Sequence, residues 1–400
     1  MPIFSQAEME RRIANLRRQM AAQGLDCVIA TSYPAFYYLS GAPIHSFGRP
    51  MAVLIPIEGE VIIVQSIIEK GHTQKQSWIQ DIRIYYDYGL KPVYENPQPP
   101  LASMVQLVRE ALAERRLEAG RIGIEEGNLP LKHYHALQAA LPQATFVGVS
   151  EMLDRLRAVL SEEELALVRA ADAVSDLGQE TLIQTLEPGK TAYELATLCK
   201  EAMMKEILER HPNKPFLLHA GTGLGSEEKG AGHSEWTTWN LDNRVQKGQL
   251  LETGFSVWLW GYWGNVERAI YVGGKPPEAV WQPFEVMVEA NEAAIAIIRP
   301  GIPLAEVDRV AKKVLSKYGY TTRTGSGCGR GITSYEGNAR ELEMDVRIYS
   351  NLILEPGMAF SLEPDLQVPG IGVFRHCNTI IVTEDGCEVD SRLPRGVIWV

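Results

Sequence analysis

The feature that most constrains the fold is a repeated order of helices, turns and ribbons in the second half of the chain. Pro188-Gly189-Lys190-Thr191-Ala192-Tyr193-Glu194-Leu195 ends one helix and opens another. Pro300-Gly301-Ile302-Pro303-Leu304-Ala305-Glu306-Val307 does the same. Thr191 and Glu194 have the spacing of a capping box. Farther on, Lys247-Gly248 introduces one apolar ribbon and Pro356-Gly357 a second. Two helices followed by a ribbon, twice over, predict a duplicated domain. Six residues beyond the two ribbon glycines stand Gly254 and Glu363. Related ribbons that face each other would bring these positions together over a shared cleft.

The first ribbon, Gly248 to Gly273, reads as strands Leu250 to Trp260 and Asn265 to Val272 joined at Gly261-Tyr262-Trp263-Gly264. Apolar side chains crowd both faces, which predicts burial. Glu252, Asn265, Glu267 and Arg268 lie inside it. A buried carboxylate needs a charged or hydrogen-bonded partner or it keeps its proton. Glu267 and Arg268 could form a merely structural pair, but adjacent strand residues point to opposite faces. Glu267 is therefore expected to face a functional site.

The first 150 residues alternate helix and strand, which predicts an α/β domain. A helix spans 7–24, a strand runs from Asp26 to Ala30, and an apolar stretch runs from Phe36 to Leu39. A hairpin turns at Glu58-Gly59, and helix and strand alternate through 101–117, 121–125, 131–141 and 145–148. No glycine-rich phosphate loop accompanies them. Residues 150–160 read as the junction, after which Ser161 caps a long helix with acids in its first turn. The expected domains are 1–150 and 155–400.

Four hundred residues favour two cores. The net charge of −11 argues against a nucleic-acid partner. No apolar run reaches the length of a membrane span, and the N-terminal stretch lacks a signal-peptide core. Five scattered cysteines fit a reducing cytoplasm.

With these residues in hand, the chain resembles the creatinase/prolidase/aminopeptidase superfamily over essentially its whole length. The resemblance implies a creatinase-type α/β N-terminal domain followed by a pita-bread catalytic domain with an internal pseudo-two-fold duplication. Metallopeptidases of the superfamily hold two metals with two Asp, a His and two Glu. Those positions here are Gly254, Asn265, Cys328 in Gly327-Cys328-Gly329, Glu363 and Cys377. Four of the five are changed, so a dinuclear centre is not expected and no cofactor is implied. A zinc site of Cys328, Cys377, His376 and Glu363 is a weaker alternative to simple thiol packing.

The metal-free creatinase branch matches better. Trp263 to Glu267-Arg268 aligns with its Tyr-x-x-x-Glu-Arg stretch, and Phe47-Gly48-Arg49 with the loop that grips a substrate carboxylate from the neighbouring subunit. The resemblance thus implies catalytic residues His233, Glu267 and Glu363. It implies substrate contacts from Phe47, Arg49, Trp263, Arg340, Cys328 and His376. His233 reaches its place only across an insertion, Glu235-Trp236-Thr237-Thr238-Trp239, before Asn243-Arg244. Cys328 replaces a His, which argues against creatine itself. A homodimer with its active sites at the subunit interface is the expected assembly.

The chemistry these residues suit is metal-free hydrolysis of a C–N bond in a small zwitterion. Two carboxylates would grip a guanidinium or amidinium, His233 would move the proton, and Trp263 would roof the cation. Two other enzyme readings are a lyase releasing an onium group and an Xaa-Pro metallopeptidase. A binding protein without activity is the reading from another class, and turnover of small zwitterions would separate it from an enzyme.

Overall fold

The computed structural model describes residues 2–43, 48–86, 99–212, 216–223, 244–322, 325–332 and 346–400. The chain divides into two units, Met1–Arg157 and Ala158–Val400.

Unit 1 contains α1 (Gln6–Gln23), β1 (Cys27–Ala30), α2 (Tyr33–Ser40), β2 (Ala52–Pro56), β3 (Ile62–Ser66), α3 (Lys70–Gln76), β4 (Asp81–Tyr85), α4 (Pro100–Ala113), β5 (Arg121–Ile124), α5 (Leu131–Ala140), β6 (Thr145–Gly148) and α6 (Ser150–Ala158), which carries the chain out. Its six strands form one sheet in the order β4-β3-β2-β1-β5-β6. β1 pairs parallel with β5 and antiparallel with β2. The apolar faces of β1, β2, β3 and β5 pack with α4 and α5 around Met104, Val108 and Leu137. Phe36 to Leu39 belong to α2, where the Ser32 hydroxyl accepts from the Ala35 amide. That cap makes this apolar run a buried helix.

Unit 2 is duplicated. Its first half holds α7 (Glu162–Thr185), α8 (Ala192–Arg210), β7 (Phe216–Gly223), β8 (Leu250–Leu259) and β9 (Tyr262–Tyr271). Its second half holds α9 (Glu278–Ile295), α10 (Leu304–Lys317), β10 (Ala359–Leu362), β11 (Asp365–Val368), β12 (Gly372–Arg375), β13 (Asn378–Val382) and β14 (Cys387–Val389). The turns match bond for bond. The Gly189 amide donates to Val245 O and the Val245 amide to Lys190 O; the Gly301 amide donates to Leu354 O and the Leu354 amide to Ile302 O. The Gly248 amide donates to Val272 O, and the Gly357 amide to Val382 O. All four glycines have φ between 86° and 95°, a region that favours glycine.

The ribbons differ in detail from the expectation. β8 and β9 run the full length of the hairpin and turn at Trp260-Gly261, both with positive φ. This is a two-residue turn whose twist suits the hairpin, so Tyr262, Trp263 and Gly264 are strand residues. In the second half β10 pairs directly with β13, and β11 and β12 form a separate hairpin between them. α7 lies against β9 at Gly264, where a Cβ would collide with the backbone of Ala171 and Asp172. Ser161 and Glu164 complete the capping box that starts α7, and Thr191 and Glu194 the one that starts α8.

Candidate active site

The two ribbons of unit 2 meet edge to edge. Glu267 and Cys377 exchange backbone hydrogen bonds of 3.3 and 3.0 Å, and the Trp263 amide donates to Gly331 O. This stitching brings side chains from both halves into one buried cluster. Glu267 lies opposite Gly254 on β8, so no side chain from that position stands beside it. Acceptor atoms of Glu267 and Glu363 and the thiol of Cys377 all lie within 4.8 Å of one another. Glu363 is held by its backbone amide, which donates to Ser326 O.

Two buried guanidinium groups face the acids. Arg375 Nη2 lies 2.6 Å from Glu267 Oε2 and 2.8 Å from Glu252 Oε1. Arg330 Nη2 donates to Cys377 Sγ at 3.5 Å, and its Nε to Thr379 Oγ1 at 3.2 Å. Thr379 donates onward to Asp172 Oδ1, which also accepts the Asn265 amide. Asn265 Nδ2 points toward Cys377 Sγ at 3.3 Å and Glu267 Oε1 at 3.4 Å, while its Oδ1 accepts from Ser256.

Burial dominates the electrostatics. It pushes the Glu267 carboxyl up to about 8; Arg375 opposes the shift, and Glu363 and Glu252 add to it. Burial, then Glu363 and Glu267, push the Cys377 thiol well above its ordinary range, so it is neutral. Asp172 and Asp390 are both raised, burial again first, and the charge of Asp390 adds to the shift of Asp172.

The sequence-derived candidates separate into groups. Glu267, Glu363 and Trp263 converge on the cluster. Half-buried Cys328 hydrogen-bonds through its backbone to Ser361 and lies close enough to influence Arg330. His233, Phe47 and Arg340 lie outside the described residues. Arg49 is a half-buried residue of unit 1 just before β2.

Two expectations change. His376 does not join the cluster: its ring packs edge-on to Phe284 at 5.4 Å, and Nδ1 lies 3.2 Å from Arg395 O. It sits between Arg375 and Cys377 on an extended segment, so alternation turns it the other way. Burial and then Arg268 hold its imidazole well below the usual range, hence neutral. Trp263 already carries a cation: the Arg330 guanidinium sits 4.3 Å from its ring centre, and Trp258 stacks on it at 5.8 Å.

Arg268 is not the partner of Glu267. It donates to the backbone oxygens of Glu267, Cys377 and Pro394 and to the side chains of Asn378 and Ser391. It clamps the two ribbons to the C-terminal segment. Arg375, Arg330 and Asp172 were missed from the sequence. Alternation offered a signal for two of them, since Arg375 shares a face with Cys377, and Arg330 with Cys328.

The residues present do not fit a two-metal centre. Gly254 supplies no donor, and the oxygen of Asn265 is taken by Ser256. Arg375 occupies one side of Glu267, and the Cys377 thiol keeps its proton. A divalent ion needs deprotonated ligands and carboxylates free of competing cations.

A duplicated two-helix-and-ribbon domain behind an α/β domain, with its acids at the junction of the ribbons, defines the creatinase and prolidase class of folds. The chain belongs to metallopeptidase family M24, whose family model matches residues 166–384, and the Creatinase/Prolidase N-terminal domain matches residues 12–159. It is 25% identical to creatinase of Bacillus sp. (strain B-0618), covering 99% of this chain and 93% of that one. It is 25% identical to ectoine hydrolase of Halomonas elongata, covering 98% and 97%. The Xaa-Pro dipeptidase from Bacillus anthracis has the same fold, with a TM-score of 0.79 at 22% identity over 98% of this chain and all of that chain.

Proposed function

We propose that the chain is a metal-independent hydrolase that cleaves a C–N bond of a small cationic carboxylic acid, guanidino, amidino or methylated. One observation carries the reading. The carboxylates of Glu267 and Glu363 converge within 4.8 Å, while guanidinium groups and a neutral thiol stand where a metal would need anionic ligands. A flat delocalised cation can donate charge-assisted hydrogen bonds to the Glu363 carboxylate and a further bond to the carbonyl oxygen of the Glu267 carboxyl group. Its charge makes the central carbon electrophilic. Water attacks, the new C–O bond forms, the C–N bond breaks, and the leaving nitrogen takes a proton. Glu267 keeps its proton near neutrality and is the donor for that nitrogen; Glu363 holds the cation. His233 is the base the sequence offers for the water.

The likeness to proteins named creatinase and ectoine hydrolase supports this choice. A second reading, a metallopeptidase, is favoured by the three donor atoms within 4.8 Å and by the likeness to an Xaa-Pro dipeptidase of Lactobacillus helveticus. The test is hydrolysis of guanidinoacetate, ectoine and Xaa-Pro dipeptides by the purified protein, with and without chelator. Turnover of a cationic acid that survives chelation is expected. Dipeptide cleavage that requires added metal would overturn the proposal.

A further inference from the structure

Arg330 has more donors than the protein around it uses. Its guanidinium is buried, with the residue only 2% exposed. Nε and Nη2 are engaged by Thr379 and Cys377, and Nη1 has no hydrogen-bond partner among the described residues. The indole on which it stacks is in the same position, because Trp263 Nε1 is buried without an acceptor there. Arginine and tryptophan side chains only donate. Two unsatisfied donors in one stack, one of them cationic, call for an acceptor with negative charge, and a buried donor left without one is costly.

The neighbours do not supply that charge in full. Cys377 meets Arg330 through a thiol sulfur, and Asp172 is engaged one bond farther out, where it accepts from Thr379 and from the Asn265 amide. Cys377 Sγ is also the common neighbour of the two ends of the cluster. It lies 3.5 Å from Arg330 Nη2 and within 4.8 Å of the acceptor atoms of Glu267 and Glu363.

We infer that Arg330, stacked on Trp263, is the receptor for the substrate's carboxylate, with the indole N–H as its second donor. The inference rests on the hydrolase reading above and narrows its substrate. An anion receptor and a cation receptor separated by a single thiol select a zwitterion with a short spacer between its charges. Arg330 is a different residue from Arg49, to which the family resemblance gives this task. It is supplied by the same subunit as Glu267 and Glu363.

The test compares ligands that differ only in the carboxylate. Guanidinoacetate and methylguanidine are titrated calorimetrically into wild type, Arg330→Met and Arg330→Lys, each checked for normal melting. Methionine keeps the apolar stem on the indole; lysine keeps the charge but loses the fork. Wild type is expected to prefer guanidinoacetate at least about tenfold, near 1.4 kcal/mol. Arg330→Met should lose that preference while holding methylguanidine as before, with Arg330→Lys in between. A folded Arg330→Met that keeps the preference, or a wild type without one, overturns the inference. If Arg330→Met does not fold, the lysine variant decides, and an undiminished preference there overturns it equally. If neither guanidine binds to wild type, the cation reading fails by itself. Arg330 is then judged by propionate, followed by ligand-observed NMR: binding to wild type and not to the variant supports the carboxylate role, and no binding refutes it.

Discussion

At the scale of single residues, Glu267 is the group on which chemistry and stability diverge. Its carboxyl titrates near 4.5 in an unfolded chain and is raised to about 8 in the fold. Across that window the folded state binds more protons, so this group's contribution to stability is full below about 4.5 and is lost as pH rises through about 8. Glu267→Gln mimics the protonated acid. It should melt like wild type below about pH 4.5 and above wild type near pH 7, with a shallower fall in unfolding free energy between pH 5 and 8, by up to about 1.4 kcal/mol per pH unit. Denaturant titrations at several pH values measure this. The same variant cannot hand a proton to a leaving nitrogen and should lose on the order of a hundredfold to ten-thousandfold in turnover. Depressed melting with nearly normal specific activity would show instead that Glu267 only holds the ribbon. Strand alternation already separated Glu267 from Arg268 in the sequence. The same rule, applied to Arg375-His376-Cys377, assigns the arginine and thiol to one face and the imidazole to the other. The resemblance had put His376 with the substrate, and local geometry overrode it.

At the scale of elements, two contacts fix how the ribbons sit. α7 reaches β9 only because Gly264 has no side chain. Gly264→Ala must push backbone against backbone and should cost about 1–3 kcal/mol, read from the urea midpoint. Arg268 carries a different load. Arg268→Met would take the buried donor from the Pro394 carbonyl and the Asn378 side-chain oxygen, while the Glu267 and Cys377 carbonyls keep each other's amides. An orphaned buried acceptor costs about 1–3 kcal/mol, so a clearly lowered thermal midpoint is expected, followed by circular dichroism. The sequence announced the elements of this region through Pro-Gly breaks, caps and a buried apolar ribbon. It misplaced the hairpin turn because Gly261 and Gly264 bracket an attractive four-residue loop. The strands instead pair through Tyr262 and close on Trp260-Gly261. A tryptophan at φ 55° is a choice that turn statistics do not anticipate.

At the scale of the whole molecule, the duplication decides where chemistry is possible, and the two halves make unequal contributions. The first half lends Glu252, Asn265, Glu267 and Trp263; the second lends Arg330, Glu363, Arg375 and Cys377. Because guanidinium groups stand among the acids, purified protein should contain well under one divalent metal per chain, and chelators should leave its melting temperature unchanged. Elemental analysis showing two metals per chain would contradict this. We propose in addition that Arg49 acts across a homodimer. Arg49→Ala should then raise KM more than it lowers kcat. Mixing refolded Arg49→Ala and Glu267→Gln chains should restore activity at low substrate, which independent subunits could not do. The order of elements, the duplication and the identity of the acidic pair were written in the sequence, since caps, Pro-Gly turns and period-two burial are local and survive reading along one dimension. Which cations answer those acids was not. Arg375, Arg330 and Asp172 lie 108, 63 and 95 residues from Glu267, and only the edge-to-edge closure of the ribbons makes them neighbours. The charge balance of a buried site is a property of distances in space, and the fold alone sets those.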